Sequence, residues 1–210
     1  MERKKNISMP VIKRLPKYHR YLSDLLINDV ETISSKELGE KIGFTATQIR
    51  QDLNCLGDFG QQGFGYKVKE LFNEISEILG LSNGYKMIII GAGNIGQAIA
   101  NHNKVHGLDF ELAGIFDVNP KLIGLKIQDI EVTDIDELVS FLRATPMDIG
   151  VVCVSKNNAQ AVADVMVKNG IKGIWNFAPV DLELPEEIVL ENVYLIESLL
   201  TLSCLMNDRT

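Results

Sequence analysis

At 210 residues, with 46% hydrophobic and 23% charged side chains, the chain has the composition of a globular protein long enough for two modest domains. No apolar run approaches a membrane span, and the N-terminal MERKKNISMP lacks the apolar centre of a signal peptide. The net charge of −7 is unevenly spread: residues 1–51 carry ten Lys or Arg against six Asp or Glu, residues 81–210 nine against seventeen, so an anionic partner is expected at the N-terminal end alone.

In chain order, a polar arm with Arg3, Lys4 and Lys5 leads into VIKRLPKYHRYLSDLLIND, which predicts a helix broken at Leu15-Pro16 and restarted. Tyr18, Leu22, Leu25 and Leu26 are spaced for one buried face. Ser34 and Glu37 form an S-x-x-E capping box opening a short helix that stops at Gly43, and Thr45 with Gln48 predicts a second box directly after it. Leu38, Ile42, Ile49 and Leu53 give the two helices a shared core. Two short helices around a glycine turn describe a helix-turn-helix, whose second helix can enter the major groove of DNA. Its outward positions are Thr47, Gln48, Arg50, Gln51 and Asn54, hydrogen-bonding side chains suited to base edges. GDFGQQGFGY at 57–66 reads as a β-hairpin wing, and Val68, Leu71, Phe72, Ile75, Ile78 and Leu79 mark a closing amphipathic helix. The first domain is thus expected over 1–80, with a linker at 81–84.

MIIIGAGNIG at 87–96 carries four apolar residues straight into Gly91-x-Gly93-x-x-Gly96. Apolar residues without alternation suit a parallel strand covered on both faces. The three glycines then serve a tight turn, close approach to a pyrophosphate and close helix packing. The loop Gly91, Ala92, Gly93, Asn94, Ile95, Gly96 would place a dinucleotide diphosphate at the positive end of the helix starting near Asn94. FELAGIFD at 110–117 ends on Asp117, 21 positions beyond Gly96, where a carboxylate can accept from an adenosine ribose and repel a 2′-phosphate. That predicts NAD, as NADH and NAD⁺, rather than NADP. Strands at 130–132, 149–154 and 173–177 alternate with helices at 134–141 and 157–168, as a doubly wound parallel sheet requires. Asn176, Phe177, Ala178 and Pro179 leave the last of these at its carboxyl end, where ligands of such sheets bind. Trp175 is read as core. This Rossmann domain is expected over 85–191, and 192–210 as a strand and a helix that is apolar on more than one face.

Three scattered cysteines, Cys55, Cys153 and Cys204, have neither metal-ligand spacing nor an even disulfide framework, which places the chain in a reduced cytoplasm. Metal binding is not expected.

RLPKYHRYL at 14–22, ISSKELGEKIGFTATQIRQDL at 33–53, DFGQQGFGYKVKEL at 58–71, GAGNIGQAI at 91–99, FDVNPKLIG at 116–124 and NFAPVDLELPE at 176–186 together resemble the Rex family, redox-sensing transcriptional repressors of Gram-positive and related bacteria. The resemblance implies a homodimer whose winged domains bind a palindromic double-stranded operator and whose Rossmann domains sense the ratio of NADH to NAD⁺, NADH releasing the DNA. It also implies that the terminal helix crosses into the partner subunit. Residues matching the family's DNA-reading surface are Arg14, Tyr18, Arg20, Ser35, Lys36, Thr47, Gln48 and Arg50, with the wing at 60–65. Two positions depart from the family in lacking a basic residue, Gln51 and Gln62. His102 and Tyr194 stand where many members have a tyrosine and an aspartate whose hydrogen bond marks the NAD⁺ form.

Two other readings share the fold. A dehydrogenase would need catalytic groups, yet there is no Tyr-x-x-x-Lys pair. Of the three histidines, His19 sits in the first domain and His102 and His106 are read in the helix after the glycine loop rather than on a later strand or loop that would face a substrate. A coenzyme A-binding regulator is opposed by Asp117, which would repel a 3′-phosphorylated ribose. The chain is therefore not expected to be an enzyme.

Overall fold

The computed structural model describes residues 7–57, 60–61, 65–102 and 110–207, and the chain divides into two compact units, Met1–Asn83 and Gly84–Thr210.

The first unit runs α1 (Met9–Ile12), α2 (Leu15–Ile27), β1 (Thr32–Ile33), α3 (Ser35–Ile42), α4 (Ala46–Asn54), β2 (Gly60–Gln61), β3 (Gly65–Lys67) and α5 (Val68–Ile78). Pro16 lies in the first turn of α2, where its missing N–H leaves no bond unmade, so it starts a helix instead of kinking one. The Ser34–Glu37 box forms in full, Glu37 N donating to Ser34 Oγ at 3.1 Å and Ser34 N to Glu37 Oε2 at 2.9 Å. Gly43 ends α3 at φ +80°, which a side chain would resist. A Cβ on Gly39 would run into the Phe44 carbonyl, so the tight approach of α3 to the turn also needs glycine. Only half of the second box forms. Thr45 Oγ1 accepts from Gln48 N at 3.2 Å, but the Gln48 side chain turns to Asp52 instead of the cap.

β3 pairs antiparallel with β2, giving the expected hairpin, and also with β1, a short strand the sequence pattern does not reveal. Leu15, Tyr18, Leu22, Leu38, Ile42, Ile49, Leu53, Leu71 and Ile75 share one core.

The second unit runs β4 (Tyr85–Ile90), α6 (Asn94–His102), β5 (Phe110–Asp117), β6 (Lys126–Ile127), β7 (Ile130–Asp134), a 3-10 turn (Ile135–Glu137), α7 (Leu138–Ala144), β8 (Ile149–Val152), α8 (Lys156–Lys168), β9 (Gly173–Asn176), β10 (Val189–Asn192) and α9 (Leu195–Asn207). The sheet order is β10-β9-β8-β4-β5-β7-β6, parallel except for the β6–β7 edge. Met87 and Ile89 of β4 belong to one apolar cluster and Ile88 and Ile90 to another, which is why that strand shows no alternation. The order reverses at β4, flanked by β5 and β8, so the Gly91 loop opens at the switch point of the sheet.

Several elements differ from the sequence reading, most strand and helix ends by one to four residues. The tail strand is Val189–Asn192, paired with β9, and not a strand starting at Asn192. Asp134 accepts from Asp136 N at 3.0 Å and opens a 3-10 turn, so α7 begins at Leu138 instead of 134. β6, only two residues long, has too little pattern to be seen in sequence.

No residue of α9 is buried: Leu195, Ile196, Leu199, Leu200, Leu202, Leu205 and Met206 are 53% to 65% exposed. The helix is not docked on its own unit. Among the described residues no helix is long and apolar enough to cross a membrane, and Cys55, Cys153 and Cys204 are free.

Candidate nucleotide and DNA sites

Thr45 caps the start of α4, and the turn before it packs close against Gly39 of α3. Arg50, exposed on α4, donates through Nη1 to Ser35 Oγ and through Nη2 to Thr47 Oγ1, both at 3.2 Å. Three expected DNA-reading residues thus meet at one spot, and the two bonds, from a charged donor to neutral hydroxyls at the long end of the range, can be exchanged for other acceptors. Arg20, Lys36 and Gln51 are also exposed, Lys36 only loosely paired with Glu40 at 4.0 Å. Gln62 and the rest of the wing tip fall outside the described residues.

Tyr18 is different: it lies on the buried face that its spacing predicts, and the expectation from the resemblance that it reads DNA is corrected. It is fully buried, and its hydroxyl donates to Asp52 Oδ2 at 2.7 Å. The same carboxylate takes Arg14 in a two-pronged contact, Nε to Oδ2 at 2.6 Å and Nη2 to Oδ1 at 2.7 Å, and Gln48 Nε2 to Oδ1 at 2.8 Å. Arg14 and Gln48 are half-buried and already occupied. Burial opposes the Asp52 charge, but the Arg14, Tyr18 and Gln48 donors outweigh it and hold the carboxyl below its usual range. Burial and then Asp52 push the Tyr18 phenol well up. The sequence alone does not single out Asp52. The available signal was a carboxylate beside Leu53 on the buried face of the helix, one turn after Gln48.

In the second unit, Gly91 has φ +104°, and a Cβ there would sit 2.6 Å from the Cys153 carbonyl oxygen. A Cβ on Gly96 would strike the Gly91 carbonyl, so strand and helix meet only through glycine. Gly93, by contrast, has nothing within 4 Å of its Cβ position, the open backbone a diphosphate needs. Asn94 and Ile95 are exposed at the start of α6, whereas Ala92 is buried and its N–H donates to Asp117 Oδ2 at 2.6 Å. Asp117 Oδ1 accepts from Asn119 N at 2.8 Å. Two backbone donors therefore hold the carboxylate at the rim of a cavity of about 500 Å³ whose lining includes Ile90, Gly91, Val118, Ile135, Val154 and Val162. An apolar slot beside an anchored carboxylate suits a flat base with its ribose at the mouth. The residues present fit an NAD-type dinucleotide.

The loop after β9 is less uniform than expected. Asn176 is fully buried, its Nδ2 donating to Val180 O at 2.9 Å and Asn192 Oδ1 at 2.8 Å while its Oδ1 accepts from Ala178 N at 3.0 Å. Asn176 braces the loop, and Ala178 at 1% exposure is core, so neither side chain lines the crevice. Phe177 is half-buried against Trp175, ring centres 4.8 Å apart, and Pro179 is exposed. Tyr194 donates to Asp181 Oδ1 at 2.6 Å, which pushes its phenol up to about 12. The side chain of His102 falls outside the described residues.

His19 stacks on Phe72 at 4.5 Å with its pKa lowered by burial, and burial pushes the Cys153 thiol up to about 12. Both belong to packing rather than to chemistry.

A family model described as a putative DNA-binding protein N-terminus matches residues 6–54, and one described as a CoA binding domain matches residues 82–180. A redox-sensing transcriptional repressor Rex from Clostridium botulinum strain Hall is 66% identical over 99% of both chains. The chain belongs to the Rex family. The crystal structure of RSP in complex with β-NAD⁺ and operator DNA is 56% identical with a TM-score of 0.89, covering 97% of this chain and 94% of that one. RSP in complex with β-NADH is 54% identical with a TM-score of 0.87, over 97% and 96%. The winged-helix and Rossmann-like architecture is therefore that of Rex, and the family consists of repressors, not enzymes.

Proposed function

We propose that this chain is a homodimeric repressor that holds a palindromic operator through α4 and its wing and releases it when NADH occupies the β4–α6 site. Arg20, Ser35, Lys36, Thr47, Arg50 and Gln51 meet the DNA. Gly91, Gly93, Asn94, Ile95, Gly96 and Asp117 hold the adenosine and diphosphate of NADH or NAD⁺, with Phe177 and Pro179 toward the nicotinamide. Residues 1–80 serve as the DNA-binding domain, 81–84 as linker, 85–191 as sensor and the tail as dimerisation segment. A chromosomal repressor works in the cytoplasm.

The observation that carries this reading is Asp117, pinned by Ala92 N and Asn119 N at the rim of an apolar cavity. A ribose diol can donate to it, while a phosphate on that ribose would meet a fixed negative charge. The same charge opposes coenzyme A, despite the description of the model that matches residues 82–180. Titrating the purified protein with NADH, NADPH and coenzyme A, followed by nicotinamide or Trp175 fluorescence, tests it. NADH should bind at least about tenfold more tightly than the other two, the equivalent of one close charge contact. Equal binding of NADPH or coenzyme A would contradict it.

A further inference from the structure

Asp52 is a buried acid, 1% exposed, on the helix that carries the DNA-reading residues. Its three donors come from different places: Arg14 from the α1–α2 junction, Tyr18 from α2, and Gln48 from the first turn of α4 itself. Arg14 Cζ also lies 5.8 Å from the centre of the Phe44 ring, in the turn before α4. The guanidinium thus lies along the side of α4, bonded to Asp52 in its last turn and over Phe44 in the turn before it, beside the helix that would enter a groove flanked by phosphates. A free arginine there would bind any duplex, because phosphate contacts carry no sequence information. Paired with Asp52 it is neutralised, and Gln48 is turned inward by the same carboxylate.

We propose that Asp52 is a positioning residue for operator specificity: by holding Arg14 and Gln48 it leaves base reading to the Arg50 cluster and keeps non-specific phosphate binding low. This rests on the reading of α4 as the DNA-binding helix. Asp52 touches no base itself. It acts through the charge it cancels and through the angle it fixes between α2 and α4.

The test is fluorescence anisotropy of operator and scrambled duplexes over a salt series, with the full-length dimer. For Asp52→Asn, binding to the scrambled duplex should tighten and its log–log salt slope steepen by about 0.9, one added phosphate contact. The ratio of operator to scrambled affinity should fall about tenfold, the scale of one misplaced bidentate contact. NADH binding should be unchanged, showing an intact second unit. The double variant Arg14→Gln with Asp52→Asn leaves no half-buried charge without its partner, so it keeps the test decisive even if the single variant fails to fold. Its salt slope should equal that of the wild type. A merely structural role for Asp52 would weaken both duplexes alike and leave the slopes unmoved, which overturns the proposal. So does a slope about 0.9 shallower in the double variant, since Arg14 would then contact phosphate already in the wild type. Wild-type protein that does not distinguish operator from scrambled DNA would instead defeat the reading of α4 on which it rests.

Discussion

Arg50 and Asp117 show how single side chains divide the work of such a molecule. Arg50 is poised between two hydroxyls, Ser35 and Thr47, whose bonds at 3.2 Å are easily exchanged for a guanine edge. Arg50→Ala should cost about 1–3 kcal/mol of operator discrimination and leave NADH affinity intact, as measured by competition between operator and single-base variants. Asp117→Asn keeps an oxygen for Ala92 N but removes the charge. It should narrow the preference for NADH over NADPH by about tenfold with little change in NADH affinity, read by fluorescence titration. Gln51 is exposed where the family resemblance implies a basic residue, so Gln51→Lys should steepen the salt slope of operator binding by about 0.9.

At the level of elements, helix limits were legible because caps and breakers are local. Ser34, Gly43, Thr45 and Pro16 each act within a few residues, and all sit where the sequence placed them. Strand identity was less so. β1 and β6 are two residues each and exist only through their partners, which no local pattern states. Long-range polar contacts are what the sequence hides: Arg14 and Asp52 lie 38 residues apart, and burial of Asn176 depends on Asn192, 16 residues on. α9 illustrates the converse, since its all-round apolar surface was readable and the structure leaves that surface uncovered. Replacing Leu199 and Leu202 by Lys should shift the protein from dimer to monomer in sedimentation equilibrium, with the β4–α6 site still binding NADH. The switch pair is the other element-level matter. Tyr194, matched to a switch aspartate, spends its hydroxyl on Asp181, so we expect NAD⁺ to add little to operator affinity. His102→Tyr with Tyr194→Asp should create NAD⁺ enhancement. Strong enhancement already present in the wild type would contradict this.

For the whole molecule, one unit carries exposed Arg50 with Ser35 and Thr47 and the other the anchored carboxylate, and sensing requires the two sites to be coupled. Coupling between ligands is reciprocal, so NADH must weaken operator binding by the factor by which operator weakens NADH binding. A coupling of about 1–3 kcal/mol corresponds to roughly 5- to 150-fold. The most direct measurement is operator affinity at fixed NAD⁺ as NADH is raised. Operator affinity should fall by a factor in that range and level off once the site is saturated. Operator binding that stays constant while NADH demonstrably fills the site would contradict the account.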